Sequence, residues 1–270
     1  MISFPNCKIN VGLNIVAKRT DGYHTINSLF YPLPFHDILE IVPANLFSFS
    51  CSGLPIKGDK MNNLVVKGYL LLKEKFDIPP VAMHLYKNIP MGAGLGGGSS
   101  DGAFALKMIN DLFELQLSEN EIHQFAAQLG ADCAFFIRNT PQLVKGIGDE
   151  LTPHKLSLKG KKLLLINDGT HIKTAEAYHG VVPKTPTLLI ENIIESPLEE
   201  WKDALINDFE ETVFSKYPNV KKIKDELYRA GARYAAMTGS GSTLFGIFEA
   251  DKEIDIPFDS THGFIKEITL

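Results

Sequence analysis

The chain has 270 residues, 44% of them hydrophobic and 22% charged, with a formal net charge of −5. That balance fits a globular enzyme of one large or two ordinary domains, with no general attraction to nucleic acid or to an acidic membrane surface. No basic leader with an apolar core opens the sequence and no apolar run reaches the ~18 residues of a membrane span. Cys7, Cys51 and Cys133 are dispersed without metal-type spacing, which predicts reduced thiols in a cytoplasmic protein.

Residues 8–16 read as a strand, Asp21-Gly22 as a turn, and residues 24–33 and 37–43 as further strands of an antiparallel meander. Asn62-Asn63 offers a cap to an amphipathic helix over 64–76, which ends before Pro79-Pro80. Residues 81–87 alternate as a half-exposed antiparallel strand. Pro90-Met91-Gly92-Ala93-Gly94-Leu95-Gly96-Gly97-Gly98-Ser99-Ser100-Asp101 follows, opening a helix from Ser100 to about residue 113. Ser118-x-x-Glu121 is a capping box for another helix, which Gly130 ends. Residues 131–137 are apolar apart from Asp132, and two short strands fall within 142–153. The pattern then changes: a strand over 162–167, helical runs over 174–180, 186–195 and 200–230, and strands over 233–238, 243–249 and 263–270. This predicts an α+β protein of two domains, 1–155 and 156–270, the second with helices on one face of an antiparallel sheet.

The glycine-rich loop is the strongest chemical signal. Glycines let the main chain curl with positive φ and converge several N–H donors, and a helix N-terminus directly after them adds about half a unit of positive charge. Such a site suits phosphate. Gly92-x-Gly94-x-x-Gly97 meets the dinucleotide spacing, but the alternating strand and Pro90 before it argue against a doubly wound sheet. Gly98 stands where a Walker lysine would be, and the protein-kinase triplets His-Arg-Asp and Asp-Phe-Gly are absent.

Phosphoryl transfer to an alcohol also needs a cation and a group to take the hydroxyl proton. Asp132, just past a helix end among apolar residues, reads either as a turn aspartate or as that base. Lys8 reads either as an ordinary strand lysine or as the partner that keeps such a carboxylate ionised. Thr238-Gly239-Ser240-Gly241 reads as a polar hairpin turn or as a second source of backbone donors. Tyr23 and His24, beside the Asp21-Gly22 turn, and Tyr178 could each offer a ring to a base-like ligand.

Taken together, Asn6-x-Lys8-Ile9-Asn10, Arg19-x-Asp21-Gly22-Tyr23-His24, the 90–101 loop, Leu129-Gly130-Ala131-Asp132 and the late Gly239-Ser240-Gly241 turn resemble a known family over nearly the whole chain. It is the galactokinase, homoserine kinase, mevalonate kinase and phosphomevalonate kinase superfamily, and within it the branch whose alcohol substrate carries a cytidine diphosphate. The resemblance implies an ATP- and Mg²⁺-dependent kinase acting on the C2 hydroxyl of a cytidine-diphosphate-bearing methylerythritol. It further implies an N-terminal domain like the second domain of ribosomal protein S5, a ferredoxin-like C-terminal domain, and an active site in the cleft between them. By resemblance Asp132 is the base and Lys8 its charged partner. Pro90, Met91, Gly92, Ala93, Gly94, Leu95, Gly96, Gly97, Gly98, Ser99 and Ser100 wrap the ATP phosphates, with Asn63 and Lys87 near the adenine. Asn10, Tyr23, His24, Thr174 and Tyr178 hold the cytidine diphosphate end, the two tyrosines stacking on cytosine, and Gly239, Ser240 and Gly241 line the cleft. Ala93 stands where the family often has glycine and Thr238 where it often has serine. No protein ligand is assigned to the metal. The implied partner is this small molecule, without nucleic acid or membrane, bound by a monomer or weak homodimer.

Overall fold

Three four-stranded sheets organise the protein, seen in a computed structural model that describes residues 1–56, 58–258 and 262–270. The first sheet has the order β1-β4-β6-β5, with β1 Ile2–Ser3, β4 Ile38–Pro43, β5 Ser48–Gly53 and β6 Val81–Lys87. The second has the order β2-β3-β7-β8, with β2 Asn6–Lys18, β3 His24–His36, β7 Gln142–Lys145 and β8 Glu150–Pro153. The third has the order β10-β11-β9-β12, with β9 Lys161–Asn167, β10 Tyr234–Met237, β11 Leu244–Glu249 and β12 Phe264–Thr269.

The chain divides into two compact units, but not at a single cut near residue 155: one comprises residues 1–8, 34–91 and 96–140, the other 9–33, 92–95 and 141–270. The reason is the length of β2 and β3. Each has 13 residues, twice the common strand length, so the chain leaves the first unit within β2 and returns within β3.

In the first unit four helices follow the sheet strands: α1 Leu64–Lys73, α2 Gly97–Leu112, α3 Glu119–Leu129 and α4 Ala131–Arg138. Asn63 caps α1 by accepting from Val65 N, and Ser118 and Glu121 form the reciprocal box that opens α3. Helix α2 lies centrally, against α1, α3, α4 and β4. Its Gly102 allows the approach, because a Cβ there would stand 2.8 Å from Leu64 Cβ. Strands β4 and β6 turn Leu39, Ile41, Val81, Met83 and Leu85 into this core. Two elements differ from the sequence expectation. Strand β5, rich in serine, pairs parallel to β6, with only Phe49 and Cys51 half-buried on one face. Residues 131–138 are a helix in their own right, started immediately after Gly130.

In the second unit the order of the third sheet is that of a ferredoxin-like fold, all neighbours antiparallel. The crossover from β9 to β10 carries α5 Thr174–His179, α6 Ile190–Ile193, α7 Trp201–Ala204, α8 Phe209–Lys216 and α9 Pro218–Arg229. Pro218 separates α8 from α9, dividing what reads in sequence as one helical run. Helix α9 turns Val220, Ile223 and Leu227 onto β10 and β11. Cys7, Cys51 and Cys133 are free thiols. Among the described residues no helix is long and apolar enough to cross a membrane.

Candidate active site

Helix α2 begins at Gly97 rather than at Ser100, so Gly97 and Gly98 form part of its first turn. Gly96 precedes it with φ of +70°, a left-handed geometry that favours glycine. The fit around these residues leaves no room for side chains. A Cβ on Gly97 would lie 2.8 Å from Ile89 Cγ2, and one on Gly96 would lie 3.1 Å from Lys8 Cγ and 3.2 Å from Phe136 Cζ. The N-terminal N–H groups of α2, which have no partners within the helix, therefore emerge beside the methylene chain of Lys8.

Lys8 is buried on β2, and its Nζ stands 3.6 Å from Asp132 Oδ2; the side chains are 4% and 35% exposed. Burial pulls the Lys8 ammonium below its usual pKa, and the Asp132 carboxylate opposes that shift. This is not a solvated strand lysine: β2 is buried from Asn6 to Ile15, so both of its faces are covered. Asp132 occupies the first turn of α4, where the helix dipole favours a negative side chain. It is not sealed among the phenylalanines, as its neighbours in sequence suggest. Residues 135 and 136 turn inward, while the Asp132 carboxylate stays open on one side to a hydroxyl. An open carboxylate 3.6 Å from a buried cation, beside a helix N-terminus, has the components of proton removal coupled to phosphoryl transfer.

Lys87 requires a correction. Expected near the adenine, it is fully buried, its ammonium held by Asp37 and by Asp101 Oδ2 at 2.7 Å. Asp37 Oδ1 also accepts from Asn88 N at 2.6 Å and Ile89 N at 2.8 Å. The alternation of β6 places Lys87 in phase with Val81, Met83 and Leu85, so it belongs to the core face. Burial pushes the Asp101 carboxyl up to about 8, against the opposing pull of Lys87 and aided by Asp37. The cluster ties the end of β6 to the first turns of α2 from beneath the glycines: a Cβ on Gly97 would be 3.2 Å from Lys87 Nζ. Neither Asp37 nor Asp101 stands out in the sequence as a site residue.

Asn63 is half-buried and uses its Oδ1 to cap α1, which leaves its amide N–H groups for a ligand. Met91 is exposed and Pro90 half-buried. Ser99 reaches Cys133, whose thiol burial pushes up to about 12. Ser100 is wholly buried, and among the described residues its Oγ has no hydrogen-bond partner. A buried, unpartnered hydroxyl is costly, and a phosphate oxygen or a metal ion bound at this turn would satisfy it.

In the second unit, residues 92–95 meet the 238–243 turn. Gly94 has φ of +80°, and a Cβ there would lie 2.1 Å from Thr238 O. Gly239 faces it in turn, its own Cβ position 3.1 Å from Gly94 Cα. Ala93 and Leu95 are buried, so these two can face a ligand only through their backbone. Asn10 also departs from expectation. Its Oδ1 accepts from Gly239 N at 2.9 Å, its Nδ2 donates to Ser28 Oγ at 3.0 Å, and its N donates to Thr238 Oγ1 at 3.0 Å. With 1% exposure it holds the turn rather than a substrate.

His24 and Tyr178 stack on each other, with ring centroids 4.7 Å apart and planes 23° from parallel, and Phe209 meets Tyr178 edge-on. That spacing admits no base between the two rings, so Tyr178 cannot present its His24-facing side to cytosine. Tyr23, 61% exposed, offers the open aromatic face. Burial lowers the His24 pKa, and Lys18 adds to the shift, so the ring is held toward its neutral form. Lys18, Tyr23, His24, Thr174 and Tyr178 line a cavity of about 680 Å³, a size that suits a nucleotide. Thr174 Oγ1 lies 3.2 Å from Ser240 Oγ, linking that cavity to the glycine turn.

Residues 63–140 match the GHMP kinases N terminal domain and residues 189–256 the GHMP kinases C terminal domain. The chain is 52% identical over 254 residues to a protein of Cytophaga hutchinsonii named 4-diphosphocytidyl-2-C-methyl-D-erythritol kinase, with 94% of each chain covered. It is 48% identical to the protein of that name from Bacteroides fragilis, covering 99% of this chain and 100% of the other. Among solved structures, a crystal structure of 4-(cytidine 5'-diphospho)-2C-methyl-D-erythritol kinase superposes with a TM-score of 0.80 at 30% identity, covering 92% of this chain and 90% of that one.

Proposed function

This chain belongs to the GHMP kinase family, and we propose that within it the protein transfers the terminal phosphoryl group of ATP to the C2 hydroxyl of 4-diphosphocytidyl-2-C-methyl-D-erythritol, a step of the non-mevalonate isoprenoid precursor pathway. Its identity to kinases of that name supports the substrate. The observation that carries the chemistry is the Lys8–Asp132 pair at 3.6 Å with Gly96, at the head of α2, packed on the lysine.

In this reading the C2 oxygen attacks the γ-phosphorus in line, its proton passes to Asp132, and ADP leaves without a phosphoenzyme. The Lys8 ammonium offsets negative charge as it develops on the oxygen and the transferring group. The backbone N–H groups at the head of α2 hold phosphate oxygens, and the glycines there let the loop pack closely on Lys8, Ile89 and Phe136. A magnesium ion would supply positive charge to offset the phosphates. Among the described residues no cluster of three acidic, histidine or cysteine side chains forms a protein cage for it. Magnesium on a nucleotide needs none, and the unpartnered Ser100 Oγ would be available to such an ion. Three free thiols, two of them buried, support a reducing cytosol as the place of action.

The test is ADP release with Mg·ATP and three alcohols: the cytidyl substrate, mevalonate and homoserine. Turnover confined to the cytidyl substrate is expected, and turnover of either small alcohol in its place overturns the substrate assignment. Tyr23→Ala should raise KM for the cytidyl substrate about tenfold with kcat little changed, because a stacking contact worth about 1–3 kcal/mol is made in ground and transition states alike. An unchanged KM would remove Tyr23 from base recognition.

A further inference from the structure

The stretch from residue 168 to 174, between β9 and α5, fastens to the glycine turn through every second residue. Thr170 O accepts from the Ser242 hydroxyl, Ile172 Cδ1 lies 3.2 Å from where a Cβ on Gly241 would stand, and Thr174 Oγ1 lies 3.2 Å from Ser240 Oγ. Ile172 is buried, whereas His171 and Lys173 are exposed. His171 therefore projects away from the turn, and what it meets is the first glycine of the phosphate loop. A Cβ on Gly92 would be 3.1 Å from His171 Cε1 and 3.5 Å from Nδ1. Gly92 has φ of +67°, so glycine is favoured there by the backbone and by the ring together. Among the described residues neither ring nitrogen of His171 takes part in a hydrogen bond.

We propose that His171 is a phosphate-binding residue, its imidazole N–H donating to a phosphate oxygen held at Gly92. The proposal rests on the reading of the glycine loop as a phosphate site. An imidazole is a planar donor with only two rotatable bonds, and here it hangs from a main chain already pinned on both sides, so little freedom is lost when it binds. It supplies a donor where residues 92–95 bring no polar side chain, since they are Gly, Ala, Gly and Leu. The oxygen belongs either to the triphosphate of ATP or to the diphosphate of the cytidyl substrate, and the two differ in the KM that moves.

His171→Phe keeps a flat ring on Gly92 and removes both nitrogens, while His171→Gln keeps one N–H donor. His171→Phe should raise one of the two KM values by about tenfold to a hundredfold, the size of a lost hydrogen bond to a charged group, with the melting temperature unchanged and His171→Gln closer to wild type. A rise in KM for ATP identifies the nucleotide, and a rise for the cytidyl substrate identifies its diphosphate. Unchanged KM values in His171→Phe, or equal impairment by Phe and Gln, overturn the proposal. Should the wild-type protein turn over no cytidyl substrate, the reaction assigned above falls. Calorimetry of a non-hydrolysable ATP analogue on the same variants then decides His171 by itself, since equal affinity in wild type and His171→Phe overturns it.

Discussion

Asp132→Asn is expected to bind ATP with near wild-type affinity and to turn over about 10²–10⁴-fold more slowly, the range for a lost general base. The substitution is nearly isosteric, and the site tolerates it structurally. Position 132 is partly open, lies in the first turn of α4, and reaches its partner at 3.6 Å, so no tightly buried network depends on the charge. What disappears is the capacity to accept a proton, together with the counter-charge to Lys8. Burial already draws the Lys8 pKa down, and Asp132 is the first opposing influence, so the amide also leaves Lys8 less firmly protonated. Both effects act on the chemical step and neither removes a phosphate contact. Single-turnover kinetics beside ATP-analogue calorimetry separates them. Wild-type turnover in Asp132→Asn would take Asp132 out of proton transfer.

Lys87→Met should destabilise the fold by about 3–5 kcal/mol, because it strands two carboxyl groups in the core of the first unit. Asp37 retains its two backbone donors, but Asp101 loses its only hydrogen-bonding partner of opposite charge. The double variant Lys87→Met/Asp101→Asn should recover part of the loss, which distinguishes an unpaired buried carboxyl from simple cavity formation. The same cluster makes a pH prediction. The Asp101 pKa is raised in the folded protein to about 8, above its unfolded value, so the folded state binds the extra proton between the two. Its contribution to stability is therefore largest in acid and declines as pH rises from the ordinary carboxylate range through about 8. Thermal melting of wild type and Asp101→Asn across pH 5–9 checks this: the variant should lose that slope. Parallel slopes would show that Asp101 carries no raised pKa.

Features written in contiguous residues were legible in the sequence. The loop of residues 90–101, the capping box at Ser118 and Glu121, the break after Gly130 and the helices-on-sheet pattern of the second half all depend on neighbours along the chain. Strand β5 was hard to read because its alternation rests on Phe49 and Cys51 alone among serines at an edge, and α4 because a helix starting directly after another helix's terminator shows no gap. Lys87 illustrates a signal that was present and outweighed: period-two alternation assigned it to the core, while family resemblance drew it toward the nucleotide. Its acid partners come from the segment between β3 and β4 and from α2, which no local pattern connects. Asn10 was drawn toward the substrate by family resemblance. Its amide is spent instead on Gly239 and Ser28, contacts that only the tertiary fold creates. His171 had no motif around it at all.

The Asn10–Thr238 hydrogen bond joins residues 228 apart. On a ribosome adding about 5–20 residues per second, the second partner emerges roughly 10–50 s after the first. Throughout that interval the buried stretch of β2 waits beside a loop whose Gly94 has yet to meet Thr238 O, the carbonyl against which it packs. Closing so long a loop costs about 5 kcal/mol of chain entropy, which only the arriving strands β9, β10 and β11 can offset. The nascent protein thus carries its glycine-rich sequence early and the packing around Gly94 late. A chain released short of residue 238 leaves Gly94 without the carbonyl it packs against.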